Sequence, residues 1–164
     1  MKWHDLSEEA CPLARAMGVV GDRWTLLILR ECFLGVRRFD HYQKRLGITR
    51  HLLAERLKRL ESMGLLEKRP YQERPLRHEY RLTMSGKEFA PVLLAMQHWA
   101  QRNLPSEEPM PFAFVSRESE KVVEPVVTDR DSGEELNHRT VLMVPADPEA
   151  AKAIAKHLPQ LGWK

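Results

Sequence analysis

The chain has 164 residues, enough for one ordinary domain or a small domain with an appendage. Its 43% hydrophobic and 30% charged residues exclude a disordered or collagen-like chain. The longest apolar stretch, residues 24–29, is far short of the roughly 20 residues a membrane helix needs. The N-terminal residues 1–9 are too acidic and polar for a signal peptide, so a cytoplasmic protein with no membrane partner is expected. Two cysteines cannot build a disulfide framework, and no CxxC or Cys/His cluster calls for a metal or other cofactor.

Net charge is only +3, but it is unevenly placed. Residues 1–104 carry 19 Lys and Arg against 12 Asp and Glu, whereas residues 105–164 carry 7 against 11. The block 37–81 alone holds 13 basic and 6 acidic side chains. A localised basic face suits a polyanion, with nucleic acid first among the candidates; a solvated surface is the plainer alternative.

In chain order, Ser7, Glu8 and Glu9 read as a helix start, with Pro12 in a first-turn position where its missing N–H costs little. Leu13, Ala14, Ala16 and Met17 carry this helix to Gly18 and Gly21. Asp22 caps a second helix over residues 23–33, apolar around most of its surface and therefore central to the core. A short helix follows over residues 40–46, capped by Asp40, with Phe39, Tyr42 and Leu46 on one face. Gly47 and Ile48 make a tight break. Thr49 then caps a longer helix to about Met63, whose inner face is Leu53, Leu57 and Leu60. Residues 65–69 and 78–82 read as two strands around a connector that carries Pro70 and Pro75. Thr83 caps a last long helix to about Leu104, with a kink or restart at Pro91.

Short helix, glycine turn, amphipathic helix and hairpin make a winged helix-turn-helix. The fold class is therefore mainly α with a small β-wing (α+β). Residues 7–104 read as one winged helix-turn-helix domain, residues 105–111 as a Pro/Glu-rich linker, and residues 112–164 as an acidic C-terminal extension. In that extension residues 122–128 and 140–144 read as a β-hairpin turning at residues 131–133, and residues 147–158 as a short helix begun by Asp147 and Pro148.

The sequence resembles the HxlR-type branch of the bacterial winged-helix regulators. Cys11-Pro12 followed by Gly21-Asp22-Arg23-Trp24-Thr25 matches its N-terminal signature. Arg38-Phe39, Leu46-Gly47-Ile48 and Leu53-x-x-Arg56-Leu57-x-x-Leu60 match its helix-turn-helix. Gly64-Leu65, Tyr80-x-Leu82-Thr83-x-x-Gly86 and Trp99 match its wing and last helix, so the resemblance covers roughly residues 10–104. It implies a homodimeric transcriptional regulator, often a repressor, that responds to a redox or small-molecule signal such as an electrophile.

In such folds the second helix of the unit enters the major groove of double-stranded DNA with its N-terminal residues nearest the bases. This places Thr49, Arg50, His51, Ala54 and Glu55 closest to base edges. Arg50 has the fork for guanine, and Glu55 can accept from the amino group of cytosine. Lys58 and Arg59, further along, and Arg37 and Arg38, ahead of the unit, are placed for phosphates. Arg56 falls nearer the buried side and is expected to pack or pair internally. Arg74 and Arg77 flank the proline at the wing tip, where a minor groove attracts arginine.

On the last helix Val92, Leu93, Met96 and Trp99 belong to an apolar stripe wide enough to pack inward and also against a partner, a purely intrachain core being the alternative; the resemblance favours a twofold partner and an inverted-repeat operator. Cys11 sits at the start of a helix, which favours a thiolate, and the resemblance implies that a cysteine at this position can be a redox sensor. An ordinary packed thiol is the alternative. Cys32 lies in the apolar helix and reads as inert, although spacing alone leaves a pair with Cys11 open. The extension suits either a wider dimer interface or an effector pocket. No nucleophile elbow, phosphate loop, zinc-protease or dinucleotide motif suggests an enzyme. The remaining alternative is a protein-interaction module that uses the winged fold without DNA.

Overall fold

The computed structural model describes residues 6, 9–109 and 111–157, with side chains as far as Lys152. Ser7 and Glu8 of the expected first helix start, Met110 of the linker and Leu158 of the last helix lie outside these residues. The chain forms two compact units, Met1–Phe114 and Val115–Lys164. The division falls just beyond the expected linker, so residues 112–114 belong to the first unit.

The first unit runs α1 (Pro12–Val20), α2 (Arg23–Phe33), α3 (Phe39–Leu46), α4 (Arg50–Ser62), β1 (Leu66–Gln72), β2 (Arg77–Leu82), α5 (Met84–Lys87) and α6 (Ala90–Asn103). Pro12 opens α1 at the first position and Cys11 takes the cap position, so this helix starts after, not at, the acidic Glu9. Asp22 caps α2 by accepting the amides of Trp24 and Thr25, each at 3.1 Å. Ile28 and Leu29 of α2, Tyr42 of α3, Ile48 of the turn before α4, Leu53, Leu57 and Leu60 of α4, and Leu66 of β1 form the buried core with Val20. Each of these apolar groups contributes roughly 1.5–3 kcal/mol by leaving water.

Gly47 ends α3 at φ 63°, a left-handed conformation that a residue with a Cβ adopts at a cost. That single residue reverses the chain between α3 and α4, and Thr49 starts α4 by accepting the Leu52 amide.

The strands pair antiparallel, with Leu66 opposite Leu82, Lys68 opposite Tyr80 and Pro70 opposite His78. They run further toward the tip than the prolines suggest, because a two-stranded ribbon has open edges where a missing N–H breaks no further ladder. The other edge of β2 is partly covered: the Tyr80 amide donates to the Arg37 carbonyl at 2.8 Å, and the backbones of Arg38 and Glu79 pair antiparallel there. The restart expected at Pro91 divides the segment after Thr83 into two helices. Pro91 cannot donate back to the preceding turn, so α5 ends at Lys87 and α6 starts afresh at Ala90.

The second unit contains α7 (Pro148–His157), started by the Asp147 carboxylate accepting the Ala150 amide at 2.8 Å. The hairpin ahead of it differs from expectation. One antiparallel bridge, Thr128 to Glu135, closes a tight turn, and residues 140–144 are not a strand. The Asp129 carboxylate accepts the amides of Asp131 and Ser132 and so fixes this turn early. Thr140 is then drawn into a local turn, its hydroxyl accepting the Asn137 amide and donating to the Glu135 carbonyl. Such side-chain bonds compete with a ladder.

Candidate nucleic-acid interface

The outer side of α4 follows from its inner side. Leu53, Leu57 and Leu60 are buried, so the residues about half a turn away must face out. Arg50, His51, Ala54, Glu55 and Lys58 are exposed, as is the cap residue Thr49. Arg37 and Arg38, ahead of α3, and Arg74 and Arg77, at the wing tip, are exposed as well.

Two stacking contacts draw three of these segments together. The Arg38 guanidinium lies over the Tyr71 ring of the wing at 4.4 Å, and that of Arg50 lies over Phe39, the first residue of α3, at 5.3 Å. With the Tyr80 to Arg37 hydrogen bond, the wing, the start of α3 and the start of α4 become one basic surface. Cation–π contacts of this kind contribute about 0.5–1 kcal/mol each at exposed sites. Their larger consequence here is placement, since both arginines keep donors for a further partner.

Two expected surface residues are partly used inside the fold. Arg59 is half-buried and its guanidinium donates to the Gly18 carbonyl, which joins α4 to α1. Glu55 accepts from Arg56 Nη1 at 2.6 Å, while Arg56 Nε donates to Asp22 Oδ1 at 3.1 Å. The internal pairing expected of Arg56 is therefore present.

The sequence reading missed Glu31. It is 1% exposed in α2 and bridges Arg30, at 2.7 Å, and Arg45 of α3. A buried carboxylate needs such partners, and this one holds α3 against α2. Its position three residues after the buried Ile28 was the available signal, masked by the apolar residues around it.

On α6 the four-residue stripe divides. Val92, Met96 and Trp99 are exposed, Trp99 by 58%, whereas Leu93 packs with Phe89 against the core. Leu93 thus serves the chain's own core while Val92, Met96 and Trp99 face out: residues 92 and 93 lie about 100° apart on a helix, so one wide stripe turns both ways. Leu13 and Met17 of α1 are further exposed apolar side chains.

The cysteines are both free and differ in setting. Cys11 is exposed and makes no side-chain cap bond. Cys32 lies 3.0 Å from the Tyr42 hydroxyl, and burial pushes its thiol pKa up to about 11. Burial raises Tyr42 also, and its hydroxyl donates to the Val36 carbonyl at 2.6 Å. Among the described residues no group of three or more His, Cys, Asp or Glu is arranged to hold a metal ion. No helix among them is long and apolar enough to cross a membrane.

Comparison with known proteins supplies an independent line. A family model described as HxlR-like helix-turn-helix matches residues 19–108. An uncharacterized HTH-type transcriptional regulator of Mycobacterium tuberculosis is 39% identical over 150 residues, covering 90% of this chain and 95% of the relative. The crystal structure of PA1607, described as a candidate transcription factor, superposes with a TM-score of 0.76 at 32% identity, over 85% of this chain and 98% of that one. The redox regulator HypR in its oxidized form superposes with a TM-score of 0.54 at 28% identity, over 58% of this chain and all of HypR.

Proposed function

The chain belongs to the HxlR-like helix-turn-helix family and is a transcriptional regulator of the helix-turn-helix type, and from that premise we propose that it acts as a cytoplasmic homodimeric repressor on an inverted-repeat operator in double-stranded DNA. The observation that carries this reading is the single basic surface made when Arg38 stacks on the wing and Arg50 on the start of α3. In this reading α4 enters the major groove. Thr49, Arg50, His51, Ala54 and Glu55 face bases, Arg50 with the fork that suits guanine. Arg37, Arg38 and Lys58 hold phosphates, joined by whatever donor capacity Arg59 retains beyond Gly18. Arg74 and Arg77 carry the wing to the minor groove.

The exposed Val92, Met96 and Trp99 of α6 supply the twofold contact, which sets two copies of α4 about 34 Å apart, one turn of duplex. The signal acts at Cys11, an oxidant or electrophile meeting its exposed thiol at the start of α1. The likeness to a protein named a redox regulator supports that choice.

Selection of bound sequences from a random DNA pool tests the reading. Enrichment of an inverted repeat, with binding that weakens steeply as salt rises, is expected. Recovery of unenriched pool sequences would refute it. Light scattering on the purified chain gives the dimer independently.

A further inference from the structure

The outer side of α4 carries a carboxylate that is held in place. Arg56 Nη1 donates to Glu55 Oε1 at 2.6 Å and Arg56 Nε donates to Asp22 Oδ1 at 3.1 Å. The Arg56 side chain is 18% exposed and that of Glu55 is 56% exposed. Asp22 is itself fixed at the start of α2 by the amides of Trp24 and Thr25 and by the Thr25 hydroxyl. Burial works to raise the Asp22 pKa, but the Thr25 hydrogen bonds and the Arg56 charge outweigh it, and the group sits below the usual carboxylate range. Asp22 is thus an anion at neutral pH, and a run of contacts leads from the capped end of α2, through a half-buried guanidinium, to an exposed carboxylate.

Two adjacent surface charges normally contribute little, because both long side chains lose freedom when they meet. Here the guanidinium is already immobilised by Asp22, and its planar fork has a fixed geometry. Glu55 meets a donor whose freedom the Asp22 bond and partial burial already restrict. Arg56 takes Oε1, and a carboxylate retains acceptor capacity on its second oxygen. A reader preorganised in this way binds with a smaller ordering cost and rejects a misplaced base more strongly.

We propose that Arg56 is a positioning residue for base recognition: anchored by Asp22, it holds Glu55 so that the second carboxylate oxygen accepts from the exocyclic amino group of a cytosine in the major groove. This rests on α4 being the groove-reading helix, as proposed above.

The test measures binding of the full-length chain to its best selected site and to the single-base variants of that site. Wild type is compared with Glu55→Ala, Arg56→Gln, Asp22→Asn and the double variant Glu55→Ala/Arg56→Gln, with thermal midpoints alongside. Glu55→Ala should lower discrimination at one symmetric pair of positions roughly tenfold. Arg56→Gln should lower it several-fold at those same positions, and the double variant no further than Glu55→Ala alone. Asp22→Asn keeps a cap acceptor for α2 while loosening Arg56, so it should act at the same positions and covers the case where Arg56→Gln does not fold. If Glu55→Ala flattens a position that Arg56→Gln or a folded Asp22→Asn leaves sharp, the positioning role is wrong and the groove reading stands. The same holds if those two variants weaken every sequence by one common factor. A uniform gain in affinity on Glu55→Ala overturns the inference, by making Glu55 a mere repulsion of phosphates. If neither Glu55→Ala nor Arg50→Ala alters any base preference, the groove reading itself fails and takes this inference with it.

Discussion

Replacing Gly86 by alanine should destabilise the wing, although the same change in a helix normally stabilises. In α5 the substitution restricts the unfolded chain, which by itself favours folding by about 0.5–1 kcal/mol. Packing reverses the sign. A Cβ on Gly86 would lie 2.1 Å from the Leu65 carbonyl oxygen, 3.0 Å from Leu82 Cδ2 and 3.1 Å from the Leu65 carbonyl carbon. The leucine tip can rotate away, but the backbone cannot. The Leu65 carbonyl accepts the Thr83 amide at 3.0 Å, and the neighbouring Gly64 carbonyl accepts the Thr83 hydroxyl at 2.6 Å. Relief requires α5 to move off the start of β1, which breaks these bonds and the one Thr83 Oγ1 accepts from the Gly86 amide at 3.1 Å. Overpacking costs about 1–3 kcal/mol and a lost cap about 1 kcal/mol. Set against the gain, the net is a loss of about 1–3 kcal/mol. For a domain of this size that lowers the melting midpoint by roughly 5–20 °C, read by circular dichroism and checked by a lower urea midpoint. A Gly86→Ala protein that melts at or above wild type would show that the wing and α5 are not in this close contact.

Four further outcomes are expected. Arg50→Ala should cost about 1–3 kcal/mol of operator binding and relax base preference, while Lys58→Ala should weaken all sequences alike and flatten the salt slope by about one; titrations at several salt concentrations separate the two. Iodoacetamide at pH 8 should alkylate exposed Cys11 well before Cys32, whose thiol is raised to about 11; peptide mass spectrometry reads the order. Diamide should lower operator binding in wild type and not in Cys11→Ser, and unchanged wild-type affinity with Cys11 still free counts against the sensor. Asp22 has a lowered folded-state pKa, so the unfolded chain takes up its proton first as pH falls. Its stabilisation is complete above the ordinary aspartate range and is lost through that range toward the folded value. Asp22→Asn should therefore flatten the acid limb of stability against pH, measured by urea midpoints from neutral pH downward.

Much of this molecule is legible as sequence because it depends on neighbours within a turn or two. The 3–4 spacing of Leu53, Leu57 and Leu60 fixes which side of α4 is buried, and so which side is left exposed. Asp22 and Thr49 announce helix starts through bonds to amides two or three residues on. Gly47 announces the reversal between α3 and α4 because the backbone there needs φ 63°. Pro91 announces a break, since its ring cannot join the preceding turn. Each is a local rule, and local rules can be read one residue at a time.

What tertiary structure alone decided are the partners of long charged and aromatic side chains. Arg59 reaches across 41 residues to Gly18, Arg56 across 34 to Asp22, and Arg45 across 14 to buried Glu31. Arg38 finds Tyr71 on the wing. A side chain several ångströms long on a helix surface can serve a solvent-facing ligand or a neighbouring helix equally well by periodicity. Which one it serves depends on where distant backbone comes to rest, and that follows from burying the whole apolar set at once. The same cause separates Leu93 from Val92, whereas the turn around Asn137 and Thr140 that replaces a second strand is a local choice, made by the bonds of the Thr140 hydroxyl.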